Sequence, residues 1–229
     1  MTIIEKPNGP QINRELQEKL ARVSYPTLGH FHERGFVDSG IRSHLPGSKI
    51  LGRAVTVQIP GIDSALMHRA VALLEAGDVL VVSTGGDRRH APVGEVVAYA
   101  ANVAGASAII IDGVMTDVNE VARIGIPVFA RGTSLLTTKL LGLAQGGINV
   151  PVVIGDVAIS AGDIILADDN GVLAISTSDA TALIDTALES DANEGQLLRA
   201  LDEGVPLPDV TIANRVLADA LGLVDSRVD

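Results

Sequence analysis

The sequence predicts a single α/β domain in which mixed central sheets are flanked by helices. From 48 to 132, apolar β-branched runs alternate with amphipathic helical runs, and this alternation indicates parallel strands joined by right-handed crossovers. From 149 to 176, short apolar runs separated by glycine and aspartate turns predict antiparallel pairing instead. A chain of 229 residues that is 47% hydrophobic and 2% aromatic can bury one sizeable core, and aliphatic side chains must supply it.

The whole chain is predicted to form one domain, because no internal repeat, low-complexity segment or Gly/Ser linker marks a boundary. The predicted parts are N-terminal helices at 11–35, a core at 48–176 and a C-terminal helical tail at 177–229. The first helix is predicted at 13–23, where apolar residues recur on one face. The second is predicted over 25–35, since a proline suits its first turn and a glycine its end.

Strands and helices are predicted to alternate through the core. The predicted strands are 48–60, 78–86, 107–112 and 126–132, and the predicted helices are 64–77, 92–105 and 117–125. Asp63 and Ser64 offer N-caps to the first of these helices, and Gly77 suits its end. The run 149–176 is predicted as an antiparallel meander and 177–201 as a helix, with a last short helix beyond two prolines.

Charge and composition exclude several function classes. The formal net charge of −11 would repel a phosphate backbone or an anionic membrane, so neither nucleic acid nor a membrane is an expected partner. The absence of cysteine excludes a disulfide framework, a thiolate nucleophile and a cysteine zinc site. The N-terminus has no signal-peptide pattern and later apolar runs stop well short of ~20 residues, so a cytoplasmic location is expected.

Sequence motifs for nucleotide binding and for covalent acyl chemistry are missing. No GxGxxG follows a strand, and neither GxxxxGK[ST] nor GxSxG occurs. The histidines include one HxH pair, His30 and His32, but no HExxH. On a helix the two rings of HxH point apart, so polar surface is favoured over metal binding for that pair.

Chemistry is predicted at two strand-to-helix junctions, because ligands of open α/β sheets bind beyond the carboxyl ends of the strands. The first junction is GGDRRHAPVGE, from 85 to 95. Its glycines permit close backbone approach, and the opening amides of the following helix can hold a carboxylate. The charged side chains of this junction are those of Asp87, Arg88, Arg89, His90 and Glu95.

The second junction is DGVMTDVNE, from 112 to 120. Asp117 opens a helix there and Glu120 follows three residues later, a spacing that fits a capping box. The same carboxylates could instead bind a divalent metal. Both interpretations stay open on residue types alone, and they do not exclude each other.

The two junctions and a later hairpin together resemble a known family. The stretch GEVVAYAANVAGASAIIIDGVMTDVNEVARIGIPVFARGTS is similar to a glycine-acid helix start followed by a DGxxRD turn and PVFARG, and GDIILADDNGV is similar to a GDxxxADxDGV hairpin. With similarity from about 25 to about 204, the chain resembles the RraA-like or 4-hydroxy-4-methyl-2-oxoglutarate aldolase family. The resemblance implies a swivelling β/β/α-like fold and a homotrimer or homohexamer with sites between subunits.

Members of this family include divalent-metal aldolases that act on 4-hydroxy-4-methyl-2-oxoglutarate or 4-carboxy-4-hydroxy-2-oxoadipate and often decarboxylate oxaloacetate. By position, the resemblance implies that Asp117 and Glu95 hold Mg2+ or Mn2+, hard cations that keep several waters. It also implies that Glu194 is an acid supplied from a neighbouring subunit. The amides implied to bind the carboxylate of the 2-oxoacid are those of Val93, Gly94, Glu95 and Val96.

One catalytic position departs from the family's pattern. Thr116 stands where the aldolases have the arginine of DGxxRD, whose planar cation stabilises the developing enolate. Two arginines of the first junction, Arg88 and Arg89, are candidates to replace that charge, and Arg88 is predicted to bind substrate. The alternative is that both arginines are exposed and serve only solubility. Arg131 is expected to pair at the sheet edge, with a role in substrate binding as the less favoured alternative. A second departure is His30, which stands near an expected aspartate.

Three functional hypotheses follow. The first is a metal-dependent lyase that cleaves a 4-hydroxy-2-oxoacid to pyruvate, with oxaloacetate decarboxylation as a further activity. The catalytic residues of that lyase would be Glu95, Thr116, Asp117 and Glu194. The second is another enzyme on a related hydroxy- or oxo-acid, and the third is a protein-binding regulator of ribonuclease E. An older label in the family, demethylmenaquinone methyltransferase, is rejected because no glycine-rich site for a methyl donor occurs.

Overall fold

The computed structural model describes residues 3–221, in which short strands and helices alternate around a central sheet. The strands are β1 (Ile4–Glu5), β2 (Arg42–Ser43), β3 (Ile50–Gln58), β4 (Asp78–Ser83), β5 (Ala108–Asp112), β6 (Val114–Met115), β7 (Val128–Ala130), β8 (Gly132–Thr133), β9 (Gly147–Ile148), β10 (Val152–Ile154), β11 (Val157–Ile159), β12 (Ile164–Asp168) and β13 (Gly171–Ile175). The helices are α1 (Arg14–Arg22), α2 (Tyr25–Leu28), α3 (Ala65–Val71), α4 (Glu95–Val103), α5 (Val118–Ile124), α6 (Thr177–Asp202), α7 (Leu207–Val210) and α8 (Ala213–Ala220).

The central sheet has the strand order β1-β9-β3-β4-β5-β7-β2. Its middle strands β3, β4, β5 and β7 run parallel, because α3, α4 and α5 carry the chain back between successive strands. On its other side, β3 pairs antiparallel with β12 along 50–53 and with β9 along 57–58. The predicted α/β class, a mixed central sheet flanked by helices, is confirmed.

Residue alternation along the strands divides the core between the two faces of the sheet. On β4, Leu80 and Val82 pack on the side of α3, α4 and α5, whereas Val79 and Val81 pack toward the hairpin β10–β11. A third cluster lies between the hairpin β12–β13 and the helices α1, α2 and α6. The helices that begin at the two junctions therefore share one layer, and the long helix α6 lies in another.

The prediction of one meander over 149–176 is wrong, because this segment forms two separate hairpins. β10 pairs with β11 and β12 pairs with β13, but β12 has β3 as its other neighbour. At the turn before β12, the amide of Gly162 donates to the carbonyl of Ala54, and the amide of Ala54 donates to the carbonyl of Asp163. These bonds attach the chain to the central sheet at β3 and separate the two hairpins.

The prediction of a helix over 25–35 is wrong beyond Leu28, where α2 ends. The amide of Gly29 donates to the carbonyl of Pro26, a bond to the third residue back that tightens the last turn. The rest of the segment is mostly polar and contains no apolar stripe that could pack as a helix. The HxH pair therefore lies outside any helix.

The helix predicted over 64–77 also ends early, at Val71, because a buried ion pair holds the chain that follows it. Arg53 and Asp78 lie opposite each other on β3 and β4, are 4% and 1% exposed, and form two bonds of 2.8 Å. Asp78 also accepts from the backbone amide of Glu75 at 2.8 Å. The chain consequently turns toward β4 instead of continuing the helix.

The C-terminal helix α6 agrees with the helix predicted over 177–201. Ser176 caps it by accepting from the amide of Asp179 at 3.1 Å. The predicted last short helix corresponds to α8, while 222–229 of the predicted tail lie outside the described residues. Within residues 3–221, no helix is both long and apolar enough to cross a membrane.

A long irregular segment, 134–145, follows β8 and is called the strap below. Buried Asp63 holds it, because its carboxylate accepts from the amides of Leu141 and Leu143 at 3.2 and 2.6 Å. The same carboxylate accepts from the amide of Ala65, the first residue of α3, at 3.0 Å, whereas the other predicted cap, Ser64, makes no side-chain cap bond. The strap exposes a series of leucines, namely Leu135, Leu136, Leu140, Leu141 and Leu143.

Replacing Asp63 with alanine should free the strap, because the backbone amides of Leu141 and Leu143 lose their acceptor. We expect a loss of about 1–3 kcal/mol in the free energy of unfolding. Hydrogen exchange should then show reduced protection of the amides of Leu141 and Leu143. Equal protection in the variant and the wild-type protein would contradict the role assigned to this carboxylate.

The same contact should depend on pH. Burial raises the pKa of Asp63, but hydrogen bonds from the amides of Ala65, Leu143 and Leu141 outweigh burial, so the net pKa lies below its ordinary value. A lowered carboxyl pKa contributes stability above the unfolded-state pKa, and this contribution is lost as the pH falls through the folded-state pKa. Protection factors of the strap should therefore fall in acid, whereas Asp63→Asn, which cannot titrate, should show no such step.

Candidate active site

The two predicted junctions meet at one edge of the sheet. β4 and β5 are paired up to Ser83 and Asp112, so the loops that leave them begin side by side. Further on, Val93 forms a parallel bridge with Met115, and the amide of Thr116 donates to the carbonyl of Val93 at 2.9 Å. Because Val93 is extended in this bridge, α4 begins at Glu95 rather than at 92 as predicted.

Asp117 caps the neighbouring helix instead of its own. Its backbone is left-handed, with φ 55° and ψ 43°, and its side chain makes no cap bond within α5. One carboxylate oxygen accepts from the amide of Glu95 at 2.9 Å, and the other accepts from the hydroxyl of Thr116 at 3.2 Å. Glu120 pairs with Arg123 at 2.8 Å, so the capping box suggested by the spacing does not form.

Gly94 is required by the approach of Asp117. A Cβ at this position would collide with Asp117 Oδ2 and would lie 2.7 Å from Thr116 Cγ2. The backbone of Gly94 is extended rather than left-handed, so the requirement is for space. A side chain here would separate the carboxylate from the amide of Glu95.

The first turn of α4 presents further donors beside this carboxylate. The amide of Glu95 is already committed to Asp117, whereas within the described part of the chain the amides of Val96 and Val97 have no acceptor. The side chains of Glu95 and Val96 are exposed, while that of Val93 is fully buried and can offer only its backbone. The site therefore combines carboxylates with free amides on an open surface.

The arginines of the first junction are not joined to Asp117. Both are exposed, and no described hydrogen bond or ion pair connects either guanidinium to Asp117 or Thr116. The charge of Arg88 acts on Asp38 instead. The hydrogen bond from Arg131 is the main cause that lowers the pKa of Asp38, and Arg88 adds a small contribution in the same direction.

Arg131 is engaged at the sheet edge, as predicted. Its guanidinium donates to Asp112 through Nε and to Asp38 through a terminal nitrogen at 2.7 Å. The second carboxylate oxygen of Asp112 accepts from the amide of Gly155 at 2.8 Å. This network ties the end of β5 to the hairpin β10–β11 and holds the second junction in place.

A histidine–aspartate pair in the first junction was not singled out by sequence reasoning. His90 Nδ1 lies 2.7 Å from Asp87 Oδ2, and Asp87 Oδ1 accepts from the amides of Arg89 and His90. Burial raises the pKa of Asp87, but these hydrogen bonds lower it by more than burial raises it. The net pKa lies below its ordinary value, so the carboxylate form is favoured. The only signal in the sequence was an aspartate three residues before a histidine in a glycine-rich turn.

Glu194 does not come near this edge within one chain. It is exposed on α6, which packs against α1 and α2 in a different layer from α4 and α5. Between residues 3 and 221, no three histidine, aspartate or glutamate side chains group closely enough to form a metal site by themselves. Of the predicted acids, the fold brings together Asp117 and Glu95 and leaves Glu194 apart.

Known proteins resemble this chain in sequence and in fold. A 4-hydroxy-4-methyl-2-oxoglutarate aldolase named as "putative", from Halalkalibacterium halodurans, is 31% identical over 157 residues, which cover 69% of this chain and 74% of that protein. The RraAS2 structure of Streptomyces coelicolor, described as an unusual member of the RNase ES inhibitor RraA protein family, superposes with a TM-score of 0.71 at 27% identity and covers 81% of this chain and 96% of that one.

A structure of an uncharacterized protein from Pseudomonas syringae pv. tomato shares the fold, with a TM-score of 0.74 at 22% identity over 88% of this chain and 94% of that one. The sequence model of the RraA-like family, Aldolase/RraA, matches residues 16–174, which include the parallel strands β3, β4, β5 and β7 and both junctions. The resemblance noted in the DGxxRD-like turn is thereby confirmed, and the chain belongs to the RraA-like family.

Proposed function

We propose that this protein is a divalent-metal-dependent lyase that cleaves a 4-hydroxy-2-oxoacid by a retro-aldol reaction and releases pyruvate. The observation that carries the proposal is the placement of Asp117 across the start of α4, beside Glu95 and the free amides of Val96 and Val97. The relatives named as 4-hydroxy-4-methyl-2-oxoglutarate aldolases support this substrate class. Decarboxylation of oxaloacetate is proposed as a second activity, since it passes through the same pyruvate enolate.

Mg2+ or Mn2+ is the proposed cofactor, held by Asp117 and Glu95. The donor set fits a hard cation, because both ligands are carboxylates at an open surface and leave room for water or substrate oxygens in the remaining positions. When bound, the cation would supply Lewis-acid polarisation of the 2-oxo group. The protein's own groups would bind and orient the substrate.

The chain's own groups bind and orient the substrate. The free amides of Val96 and Val97 at the start of α4 lie at the positive end of the helix dipole and can hold the substrate carboxylate. Thr116 contributes a hydroxyl that already donates to Asp117, so it positions this carboxylate. It brings no positive charge to the developing enolate.

We propose that the complete site lies between copies of this chain, in a homotrimer or homohexamer. Glu194 is exposed in another layer, so only a second copy can bring it to Asp117. The leucines of the strap and the exposed Val96, Tyr99 and Val103 of α4 supply apolar surface for such contacts.

A protein-binding regulator of ribonuclease E is the second candidate function. Two observations favour it: Thr116 lacks the charge of arginine, and the similar RraAS2 structure is named for an RNase ES inhibitor family. Inhibition of ribonuclease E by the purified protein, without any metal-dependent release of pyruvate, would favour this function over the lyase.

Asp117→Asn should abolish metal-dependent turnover. Pyruvate release from 4-carboxy-4-hydroxy-2-oxoadipate or oxaloacetate should fall by more than about 100-fold, since even partners outside a metal's own ligands are worth ~10–100-fold. Glu120→Gln is the matched control, because Glu120 lies in the first turn of the same helix and pairs only with Arg123 among the described residues. Turnover by the wild-type protein that persists with a chelator would overturn the metal role.

Thr116→Arg should raise the rate of aldol cleavage. A guanidinium at this position would stabilise the enolate, and single groups of this kind are worth about 100-fold to 1,000-fold in kcat. Thr116→Gln, which adds length without charge, is the control and should show no gain. Equal rates for the two variants would mean that the missing charge does not limit the reaction.

Mixed assemblies should test whether sites form between subunits. Asp117→Asn and Glu194→Gln should each be inactive alone, whereas in a 1:1 reassembled mixture about a quarter of the interfaces would join two intact residues. We therefore expect about a quarter of the wild-type rate in the mixture. A mixture as inactive as its parents would place both residues in the same subunit's site, whereas an active Glu194→Gln parent would remove Glu194 from the reaction.

A further inference from the structure

A cavity of about 250 Å3 lies between α2 and the hairpin β12–β13, and the residues that line it include none of those assigned to the candidate active site. Leu166 and Leu173 are cross-strand partners whose side chains face α2, and Asp168 follows Leu166 on the same face of the strand. The residue opposite Asp168 is Gly171, which has no side chain. Because α2 ends at Leu28, the end of this face is left uncovered.

The floor of the cavity carries the largely buried side chain of Tyr25. Tyr25 is 7% exposed and lines the cavity, and no described residue makes a hydrogen bond with its hydroxyl. The ring is buried but the hydroxyl is not sealed from solvent, because among the described residues the buried side-chain polar atom without a partner is Asn149 Oδ1. The hydroxyl can therefore donate to a ligand or a water in the cavity. Burial, and after it the charge of Asp168, raises the pKa of Tyr25, so its hydroxyl stays a neutral donor.

Asp168 supplies the negative charge of the cavity. One of its oxygens accepts from the amide of Asn170 at 2.8 Å, and the other has no partner among the described residues. The nearby ammonium of Lys49 lies 4.8 Å from the centre of the Tyr25 ring and is engaged by the carbonyls of Ala21 and Val23. The free oxygen of Asp168 therefore remains available to a cation.

The walls of the cavity are apolar and partly aromatic. The ring of Phe36 is 42% exposed, and Pro26 and Val172 complete the lining on that side. Aromatic faces attract organic cations, and a carboxylate in such a setting favours a positive ligand over an anion. The volume is slightly below the range typical of drug-sized ligands, which suits a small molecule.

We propose that this cavity is a second ligand site, which binds a small primary amine in its ammonium form attached to an apolar group. The ammonium would donate to the free oxygen of Asp168 and the apolar group would lie against Phe36, while the Tyr25 hydroxyl donates to a polar substituent or to a water. The site differs in charge preference from the candidate active site, whose amides and cation select carboxylates.

The test compares three probes of one shape, benzylammonium, benzyl alcohol and benzoate, by calorimetry on the full-length protein. We expect saturable binding of benzylammonium, at least tenfold weaker binding of benzyl alcohol, and none of benzoate. Asp168→Asn should weaken benzylammonium at least tenfold, because a hydrogen bond to a charged group is worth that much. Asp169→Asn is the matched control, since Asp169 is the next residue and turns to the amide of Gly47 instead.

Other results would overturn the proposal. They are the absence of saturable binding, equal binding of the three probes, or equal affinity in Asp168→Asn and wild type. Should Asp168→Asn fail to fold, Phe36→Ala and Tyr25→Phe replace it, and unchanged affinity in both would count against the site. Release of pyruvate should be unaltered by Asp168→Asn. The binding experiment therefore tests the second ligand site alone, and the pyruvate assay tests the proposed lyase activity alone.

Discussion

The candidate site depends on one hydrogen bond between two helix starts, from the amide of Glu95 to the carboxylate of Asp117. Asp117 reaches that amide with its backbone in a left-handed conformation, and its side chain caps α4 rather than α5. Gly94 leaves the room that the carboxylate needs. A non-glycine residue in a left-handed conformation persists only where its surroundings hold it. Here the lack of a side chain at Gly94 and the hydrogen bond from the amide of Glu95 hold Asp117 in that conformation.

Parallel strand register supplies the frame for that bond. β4 and β5 end side by side, so their loops leave the sheet together, and the Arg131–Asp112 pair ties the second loop to the hairpin β10–β11. The division into layers also separates the predicted acids. α6 covers a different hairpin, so Glu194 lies in another layer than Asp117 and Glu95.

Thr116 offers a hydroxyl and no positive charge at the position of the family's arginine. Carboxylate oxygens and free helix amides are present, but no described hydrogen bond or ion pair joins a nearby guanidinium to Asp117 or Thr116. Arg131 neutralises Asp112 and Asp38, and the charge of Arg88 acts on Asp38. A hydroxyl stabilises a developing negative charge less than a guanidinium does, so in the proposed lyase the rate of aldol cleavage is the property that Thr116 should affect most.

Local patterns in the sequence determined the fold class, the parallel core strands, α1, α6 and the meeting of the two junctions, because strand and helix periodicity and crossover handedness are short-range properties. Resemblance to the family's glycine-acid helix start and DGxxRD turn predicted Glu95 and Asp117 as candidate ligands. Only the tertiary structure decided that Asp117 caps α4, that Arg53 and Asp78 end α3 early, and that 149–176 splits into two hairpins. Each of these depends on a partner distant in sequence, whose position is set by packing across the sheet and not by the pattern around the residue itself.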